Sequence, residues 1–267
     1  MNAQKRMFFA FEVSAPWPAS YPHGRLLDER QRHLTAAFLG SADYAILQTI
    51  LKEIPLPSFN IGMAGIFNQV IFLPKMHPRV AAWHVEWLDD ALALQAYVRQ
   101  LLDFLKARGF NPDDRGDFLP HVTICRSPFN FHEWRQAFQK LPMSIKVLHL
   151  YESLGDLQYR PLWSYPLMAP FEEIEHTADI AFKVRGKNVP QLFKHAFLAL
   201  AYKHPELVKY RNIEWSAETI EDVIIQLNAI VSKADADTGC PFKAVSFHGE
   251  IETQPDGTLT WEMIVDV

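Results

Sequence analysis

Residues 118–126 read FLPHVTICR, and residues 32–40, RHLTAAFLG, repeat the same order of a histidine, one apolar residue and a threonine. The two motifs, His33-Leu34-Thr35 and His121-Val122-Thr123, lie 88 residues apart, and each falls on a predicted strand. Side chains alternate between the faces of a strand, so the histidine and threonine of each motif share one face. Two such strands side by side would bring two imidazoles and two hydroxyls to a common cleft.

This set of side chains suits the cleavage of a phosphodiester. A neutral imidazole can take a proton from the attacking oxygen and an imidazolium can give one to the departing oxygen, since the ordinary pKa of histidine is near neutrality. Threonine hydroxyls can donate to the non-bridging phosphate oxygens, and this chemistry requires no metal. A single such motif in a chain with 11 histidines is most often a packed strand, so the interpretation depends on the pair.

Length and composition favour an ordinary globular protein of two domains. The chain has 267 residues, of which 49% are hydrophobic and 21% charged. It lacks an apolar run long enough for a membrane span, and its start, MNAQKRMFFAFEV, is interpreted as a first strand and not as a signal peptide. Cys125 and Cys240 have neither a disulfide framework nor metal-ligand spacing, so a cytoplasmic location is expected.

The net charge of −5 is unevenly distributed. Residues 1–168 carry 17 basic and 15 acidic side chains, whereas residues 169–267 carry 9 and 16. The contrast indicates two units. Neither unit has the basic excess of a protein that grips long nucleic acid, whereas a small anionic target needs only a few donors.

The order of predicted elements favours an α+β fold, because strands and helices do not alternate strictly. Asp89 and Asp90 are both expected at the N-terminus of a long helix, Gly40 at the end of a strand, and Gly65 at the turn of a strand pair. Strands are predicted at 6–13, 33–40, 58–64, 68–73, 79–87, 118–126, 144–152 and 159–167, and helices at 43–53, 89–108 and 131–140.

The proline-containing stretch 166–171, PLMAPF, is the predicted boundary, which divides the chain into domains 1–167 and 168–267. The second domain is predicted to be a small α+β unit. Its predicted elements are a strand with a central break at 172–185, helices at 189–203 and 217–232, a loop at 233–241, and a hairpin of 242–252 and 258–266 around Pro255-Asp256-Gly257.

Several other side chains are expected to have structural and not catalytic roles. His84 lies on an alternating strand and is expected to be half-buried or on the surface. Cys125 is expected to be a buried small residue and not a nucleophile. Phe8, Phe9 and Phe11 fit a core better than a base-stacking platform, although one of them could face the cleft.

The segments KRMFFAFEV, RHLTAAFLG, HPRVAAWHVEW, GFNPDDRGDFLPHVTICR and LHLYESL follow one another in the chain. Over about residues 5–167 this order resembles the two-histidine (2H) phosphoesterase superfamily, in particular the 2′-5′ RNA ligase or RNA 2′,3′-cyclic phosphodiesterase family. The resemblance implies a bilobal fold with pseudo-twofold symmetry. It also implies an enzyme that opens RNA 2′,3′-cyclic phosphate ends to 2′-phosphomonoesters, and some members join 2′-5′ linkages in tRNA halves.

The resemblance also implies roles for individual residues. His33 would be the acid that protonates the departing 3′ oxygen, and His121 the base that activates water. Thr35 and Thr123 match the phosphate-contacting positions. Arg126 could contact phosphate or a base, or could equally be a solvated charge at the end of a strand.

The segments FEEIEHTADIAFKVRGKNVPQLFKHAFLALA, FKAVSFHGEIE and WEMIVDV resemble archease over residues 170–267. Archease assists the RNA ligase that joins 3′-phosphate or cyclic-phosphate ends to 5′-hydroxyls, so such a ligase is an expected partner in RNA repair or tRNA splicing. The family's metal ligands fall on Asp179, Asp266 and Val267, whose oxygens would suit Mg²⁺ or Ca²⁺. The segment before FKAVSFHG is shorter than in the family, and Glu175 replaces an aspartate.

Two alternatives remain open from the sequence. The chain could be a non-enzymatic cofactor of an RNA ligase that only binds RNA ends, although a matched pair of histidines exceeds what binding requires. It could also be a 2H phosphodiesterase that acts on small cyclic or 2′-5′ nucleotides, which substrate length would distinguish.

Overall fold

The computed structural model describes residues 4–114, 118–177, 179–211, 215–246 and 250–267. These residues form two sheets with helices packed on them, which confirms the α+β class. The first sheet holds β1 (Gln4–Ser14), β2 (Arg25–Leu26), β3 (His33–Asp43), β4 (Ala64–Leu73), β5 (Val80–Trp87), β6 (His121–Arg126), β7 (Leu141–Gly155) and β8 (Gln158–Pro166). The second holds β9 (Phe171–Ile174), β10 (Ile180–Gly186), β11 (Ala244–Val245), β12 (Glu252–Thr253) and β13 (Leu259–Asp266). The α-helices are α1 (Tyr44–Ile50), α2 (Ala91–Ala107), α3 (Phe131–Gln136), α4 (Val189–Lys203) and α5 (Ile220–Thr238).

Six strands of the first sheet close into a ring in the order β1-β3-β6-β5-β4-β7, because β1 pairs with both β3 and β7. The ring divides into two three-stranded halves with matching order, β7-β1-β3 and β4-β5-β6. The halves meet where β3 lies against β6 and where β4 lies against β7. This is the bilobal, pseudo-twofold arrangement expected from the sequence, and it places both His-x-Thr strands at one seam.

Alternating apolar side chains build the core of this first unit. Met7, Phe9 and Phe11 of β1 are fully buried on one face of the strand. Helix α2 covers the core with the residues expected from helical spacing: Leu94, Val98, Leu101 and Leu105. Each large apolar side chain buried in this way contributes roughly 1.5–3 kcal/mol to stability.

Strand β3 continues through Gly40, so the predicted strand end at this glycine is wrong. Met7 pairs with Gly40, whereas Phe8 pairs with Phe38, which makes Leu39 the extra residue of a β-bulge. The bulge requires Gly40 to adopt a φ of +67°, which glycine tolerates without steric cost.

Strand β4 is also continuous where a turn around Gly65 was predicted. A Cβ at Gly65 would lie 3.0 Å from Met143 Sδ and 3.0 Å from Val85 Cγ1, so the glycine allows close packing between strands. The strand predicted at 58–64 is therefore wrong apart from its last residue.

Helix α5 extends to Thr238, through most of the predicted loop at 233–241. Thr219 and Asp222 form a capping box at its start, and Gly239, with a φ of +82°, follows its end. Buried Ala234 holds the extra turns against the core of the second unit.

In the second sheet β9 pairs with β10, β10 with β13, and β13 with both β11 and β12. The predicted break in 172–185 is confirmed as the connection between β9 and β10. The strand predicted at 242–252 is only partly present: among its described residues Ala244 and Val245 lie in β11 and Glu252 in β12, and residues 247–249 lie outside the described residues. Helices α4 and α5 pack on this sheet around Phe182, Phe193 and Trp261.

The two units share an interface built around α4, which packs against β4 and β7. Tyr202 Oη donates to the Ser14 carbonyl at 2.6 Å, and Arg211 pairs with Glu86. His195 Nε2 lies 2.9 Å from Asp89 Oδ2, and both side chains are almost fully buried. Asp90 alone caps α2, so the prediction that Asp89 also meets the helix terminus is wrong. The domain limits 1–167 and 168–267 stay a prediction.

None of the helices in the described ranges is both long enough and apolar enough to cross a membrane.

Candidate active site

The pairing of β3 with β6 assembles the two motifs. Leu34 pairs with Val122, and both are fully buried. Continuing this antiparallel register by one residue on each side puts His33 opposite Thr123 and Thr35 opposite His121. Facing residues of an antiparallel pair have Cβ atoms roughly 4.5–5.5 Å apart and share a face. The four polar side chains therefore form one patch on the face opposite to the buried Leu34 and Val122.

The two imidazoles are held in the same way. His33 Nδ1 lies 2.7 Å from the Gln31 carbonyl, and His121 Nδ1 lies 2.8 Å from the Leu119 carbonyl, in each case two residues upstream. A carbonyl only accepts, so both Nδ1 atoms carry a proton and, in the neutral ring, Nε2 carries the lone pair. No described residue hydrogen-bonds either Nε2 atom, which leaves both available to a reactant.

Burial favours the neutral form of both rings. It lowers the pKa of His33 to about 4, with smaller effects in the same direction from Arg126 and His121. Burial also lowers the pKa of His121, against the opposing effect of the hydrogen bond to Leu119. Without a bound anion both histidines are therefore neutral at pH 7, and the pair acquires a proton most readily when a negative charge lies beside it.

Arg126 lies on the same face as the four-residue patch. Thr123 pairs with Ala82 and Arg126 with Val80, and these two residues of β5 share a face because they are two positions apart. A β-bulge in β6 makes this possible. Arg126 also pairs with Arg25 of β2, so two exposed guanidinium groups lie at one end of the patch.

Aromatic rings border His33 on the other side. Phe8 lies 4.8 Å from the His33 ring and Tyr159 lies 4.9 Å from it, nearly perpendicular. Of the three phenylalanines considered from the sequence, Phe9 and Phe11 belong to the core, whereas Phe8 faces the site. The rings restrict how His33 can turn.

His84 is a site neighbour that the sequence did not reveal. It pairs with His121 across β5 and β6, and its Nδ1 lies 2.8 Å from Asn68 Oδ1. Asn68 donates to Glu86, which Arg211 of the second unit holds. The period-2 pattern of β5 predicted the face of His84, but no local signal specifies which strand becomes its neighbour.

Cys125 is fully buried, as the sequence predicted. Burial raises the pKa of its thiol to about 11, which disfavours the thiolate that a nucleophile would need.

The three predicted metal ligands lie where β10 begins and β13 ends, at one end of the two inner strands of the second sheet. Ile180 pairs with Val265, so the continued register puts Asp179 opposite Asp266. Asp179 lies 3.8 Å from His176, and Lys243 Nζ donates to the Val267 carbonyl at 2.5 Å. Two facing carboxylates and the Val267 carbonyl oxygen are donors that fit Mg²⁺ or Ca²⁺, but an ion would have to displace Lys243. The described residues contain no group of three or more His, Cys, Asp or Glu side chains that could hold a metal.

Comparison with known proteins gives matches for both units. The model of the family described as "Archease protein family (MTH1598/TM1083)" matches residues 171–236. No curated protein matches the chain.

Among solved structures, "Crystal structure of phosphoesterase" is 19% identical, with a TM-score of 0.45, over 62% of this chain and 99% of the other. "Crystal structure of E.coli LigT complexed with 3'-AMP" is 19% identical, with a TM-score of 0.44, over the same shares. The crystal structure of TT0787 from Thermus thermophilus is 21% identical, with a TM-score of 0.42, over 61% and 98%. Over its first part the chain is thus similar to phosphoesterase and LigT structures, and residues 171–236 match the archease family.

Proposed function

We propose that the first unit is a metal-independent RNA 2′,3′-cyclic phosphodiesterase. The observation that carries this proposal is the register of β3 and β6. In this register each histidine lies opposite the threonine of the other motif. Both Nδ1 atoms are tied to carbonyls, so both Nε2 atoms can exchange protons with a phosphate between them. Binding alone would not require two imidazoles held in this matched way.

In the proposed reaction the cyclic phosphate lies between the two histidines. His121 Nε2 takes a proton from water as the water oxygen bonds to phosphorus. The bond from phosphorus to the 3′ oxygen breaks, and His33 Nε2 protonates that oxygen, which leaves a 2′-phosphomonoester. Thr35, Thr123 and Arg126 donate to the non-bridging oxygens. In 2′-5′ ligation a 5′-hydroxyl replaces the water, and the two histidines keep these roles. In the reverse reaction the 3′-hydroxyl attacks the phosphorus of a 2′-5′ linkage and the 5′ oxygen leaves, so the two histidines exchange roles.

The first experiment is to incubate the protein, in EDTA, with a short RNA that ends in a 2′,3′-cyclic phosphate, and to resolve the position of the product phosphate. We expect a 2′-phosphate from the wild type and a loss of about 10²–10⁴-fold in rate for His33→Ala and for His121→Ala. His132→Ala, which removes an exposed histidine of α3, is the matched control. Absence of turnover by the wild type, or full activity of either site variant, would refute the proposal.

The assignment of acid and base can be tested with a sulfur leaving group. Replacing the 3′ oxygen of the substrate by sulfur makes the leaving group a good one without a proton. This substrate should restore turnover to His33→Ala and not to His121→Ala. The opposite pattern would reverse the two roles.

The pH dependence of turnover should have its maximum on the acid side of neutrality. Turnover requires one protonated and one neutral imidazole, and burial lowers the pKa of both, that of His33 to about 4. We therefore expect kcat/KM to reach its maximum below pH 6.5 and to fall as pH rises. The anionic substrate favours the protonated pair, so kcat should have its maximum at a higher pH.

For the second unit we propose an accessory role in RNA-end joining. The archease match over residues 171–236 supports it. The test is the rate at which a 3′-phosphate/5′-hydroxyl RNA ligase joins ends with and without this protein, supplied with Mg²⁺ or Ca²⁺. Asp266→Asn should abolish any stimulation, whereas the exposed Asp235→Asn should not.

A further inference from the structure

A groove lies beside the candidate active site, around the edge of β4. It encloses about 660 Å³, and its walls include Ile71, Phe72, Lys75, His84, Phe131 and Arg135. Strand β7 pairs with β4 only from Ala64 to Phe67, so the later residues of β4 have no strand on that side among the described elements.

The groove presents aromatic surface in a fixed position. Phe131 is 41% exposed, yet its ring packs edge-on against Phe72 at 4.8 Å and against Phe129 at 5.3 Å. The Arg135 guanidinium lies 5.3 Å from the centre of the Phe72 ring. An exposed aromatic ring held by its neighbours is a surface on which a nucleobase can stack at little cost in conformational entropy.

The charge of the lining has one sign. Lys75 and Arg135 are cationic, and none of the described lining residues is acidic. A second cavity, on the second sheet, differs in charge, because its lining includes four glutamates, Glu172, Glu250, Glu252 and Glu262, against one basic residue, Lys183. A polyanion is therefore complementary to the groove beside β4.

Two residues make the groove continuous with the histidine pair. His84 lines the groove and pairs with His121 on the neighbouring strand. Leu119 also lines it, and the Leu119 carbonyl holds His121 Nδ1. Gln69 of β4, which pairs with His84, is two strand spacings from β6, or about 10 Å.

We infer that this groove binds the RNA chain on the 5′ side of the cyclic end, with a base stacked on Phe131 and backbone phosphates at Lys75 and Arg135. The inference rests on the proposed function and names its substrate class, a polynucleotide in place of a mononucleotide. With the 2′ and 3′ oxygens both on the cyclic phosphate, the chain can continue from the site only through its 5′ oxygen.

The test compares kcat/KM for a short oligoribonucleotide ending in a 2′,3′-cyclic phosphate with that for adenosine 2′,3′-cyclic monophosphate. Phe131→Ala should lower the value for the oligonucleotide by roughly 5- to 100-fold and leave the mononucleotide unchanged. Leu92→Ala, which removes an apolar side chain that is 71% exposed on α2, is the matched control. Equal loss for both substrates, or no loss for either, would overturn the inference.

The cationic residues can be tested through the dependence of binding on salt. For a non-hydrolysable oligoribonucleotide, log K of binding should fall less steeply with log salt concentration in each single variant. The magnitude of the slope should be smaller than in the wild type by about 0.7 in Arg135→Gln and by about 0.7 in Lys75→Gln. Arg99→Gln, at an exposed position of α2, should leave the slope unchanged. An unaltered slope in Arg135→Gln and Lys75→Gln would overturn the phosphate contacts.

The two proposals can fail separately. If the wild type opens neither cyclic substrate, the proposed function is wrong, and binding of the oligoribonucleotide, measured by fluorescence anisotropy, still tests the groove. Weaker binding in Phe131→Ala would then support the groove, and unchanged binding would exclude it. If the wild type opens both cyclic substrates with equal kcat/KM, the proposed function is supported and the inference that the groove binds RNA is wrong.

Discussion

The buried contact between Asp89 and His195 should contribute strongly to stability, and Asp89→Asn tests this. Asp89 Oδ2 accepts from Ala64 N at 2.7 Å and from His195 Nε2 at 2.9 Å, and Oδ1 accepts from Gln191 Nε2 at 3.2 Å. His195 Nδ1 lies 2.5 Å from the Arg185 carbonyl, so both nitrogens of this ring face hydrogen-bond acceptors.

The asparagine would remove the negative charge and turn an NH₂ group towards donors. The side chains of Asp89 and His195 are 4% and 0% exposed, so solvent cannot compensate. Removing one partner of a buried pair costs about 3–5 kcal/mol. For a chain of this size the loss corresponds to a fall in Tm of roughly 6–20 °C.

Unfolding in urea, followed by tryptophan fluorescence, measures the loss, since Trp83 and Trp261 report on the two cores. Asp90→Asn is the matched control, because Asp90 is an exposed helix cap and asparagine caps equally well. A loss below about 1 kcal/mol in Asp89→Asn, similar to that of the control, would refute the reasoning.

The loss should also depend on pH. Burial acts to raise the pKa of Asp89, but His195 and the hydrogen bonds outweigh it, so the folded pKa lies below the ordinary 3.8. A carboxyl whose pKa is lowered on folding stabilises the protein above its unfolded pKa and loses this effect as pH falls through the folded value. The difference between wild type and Asp89→Asn should therefore be constant near neutrality and shrink below about pH 4. A difference that grew on acidification would contradict this sign.

Two further outcomes are expected. Tyr202→Phe should cost about 1–3 kcal/mol in thermal unfolding, because it leaves the half-buried Ser14 carbonyl without its 2.6 Å donor; an unchanged Tm would contradict this. Cys125 should resist iodoacetamide at pH 8 while half-buried Cys240 reacts, because burial raises the pKa of the Cys125 thiol to about 11; mass spectrometry showing equal rates would contradict it.

Local sequence determined most of the elements and the faces of the strands. The spacing of Leu94, Val98, Leu101 and Leu105 predicted α2, and the alternation around His33 and His121 predicted which side chains share a face. These features depend on periods of 3.6 and 2 residues, which are properties of the local backbone and can be read in sequence order. The roles of the glycines were harder to predict. Gly40 is required by a β-bulge and Gly65 by close packing between strands, and in a sequence both resemble turn signals.

Only the tertiary structure decided which strands became neighbours. The register of Leu34 with Val122, the place of His84 beside His121, and the burial of Asp89 against His195 join residues that lie far apart in the chain. Such contacts form because closing the ring of strands and packing α4 against it bury apolar surface in both units. The arrangement with the most favourable total burial of apolar surface is the one adopted. No local sequence pattern indicates this total, because it depends on residues from the whole chain. The sequence therefore determined which side chains could do chemistry, and the closure of the sheet determined which of them meet.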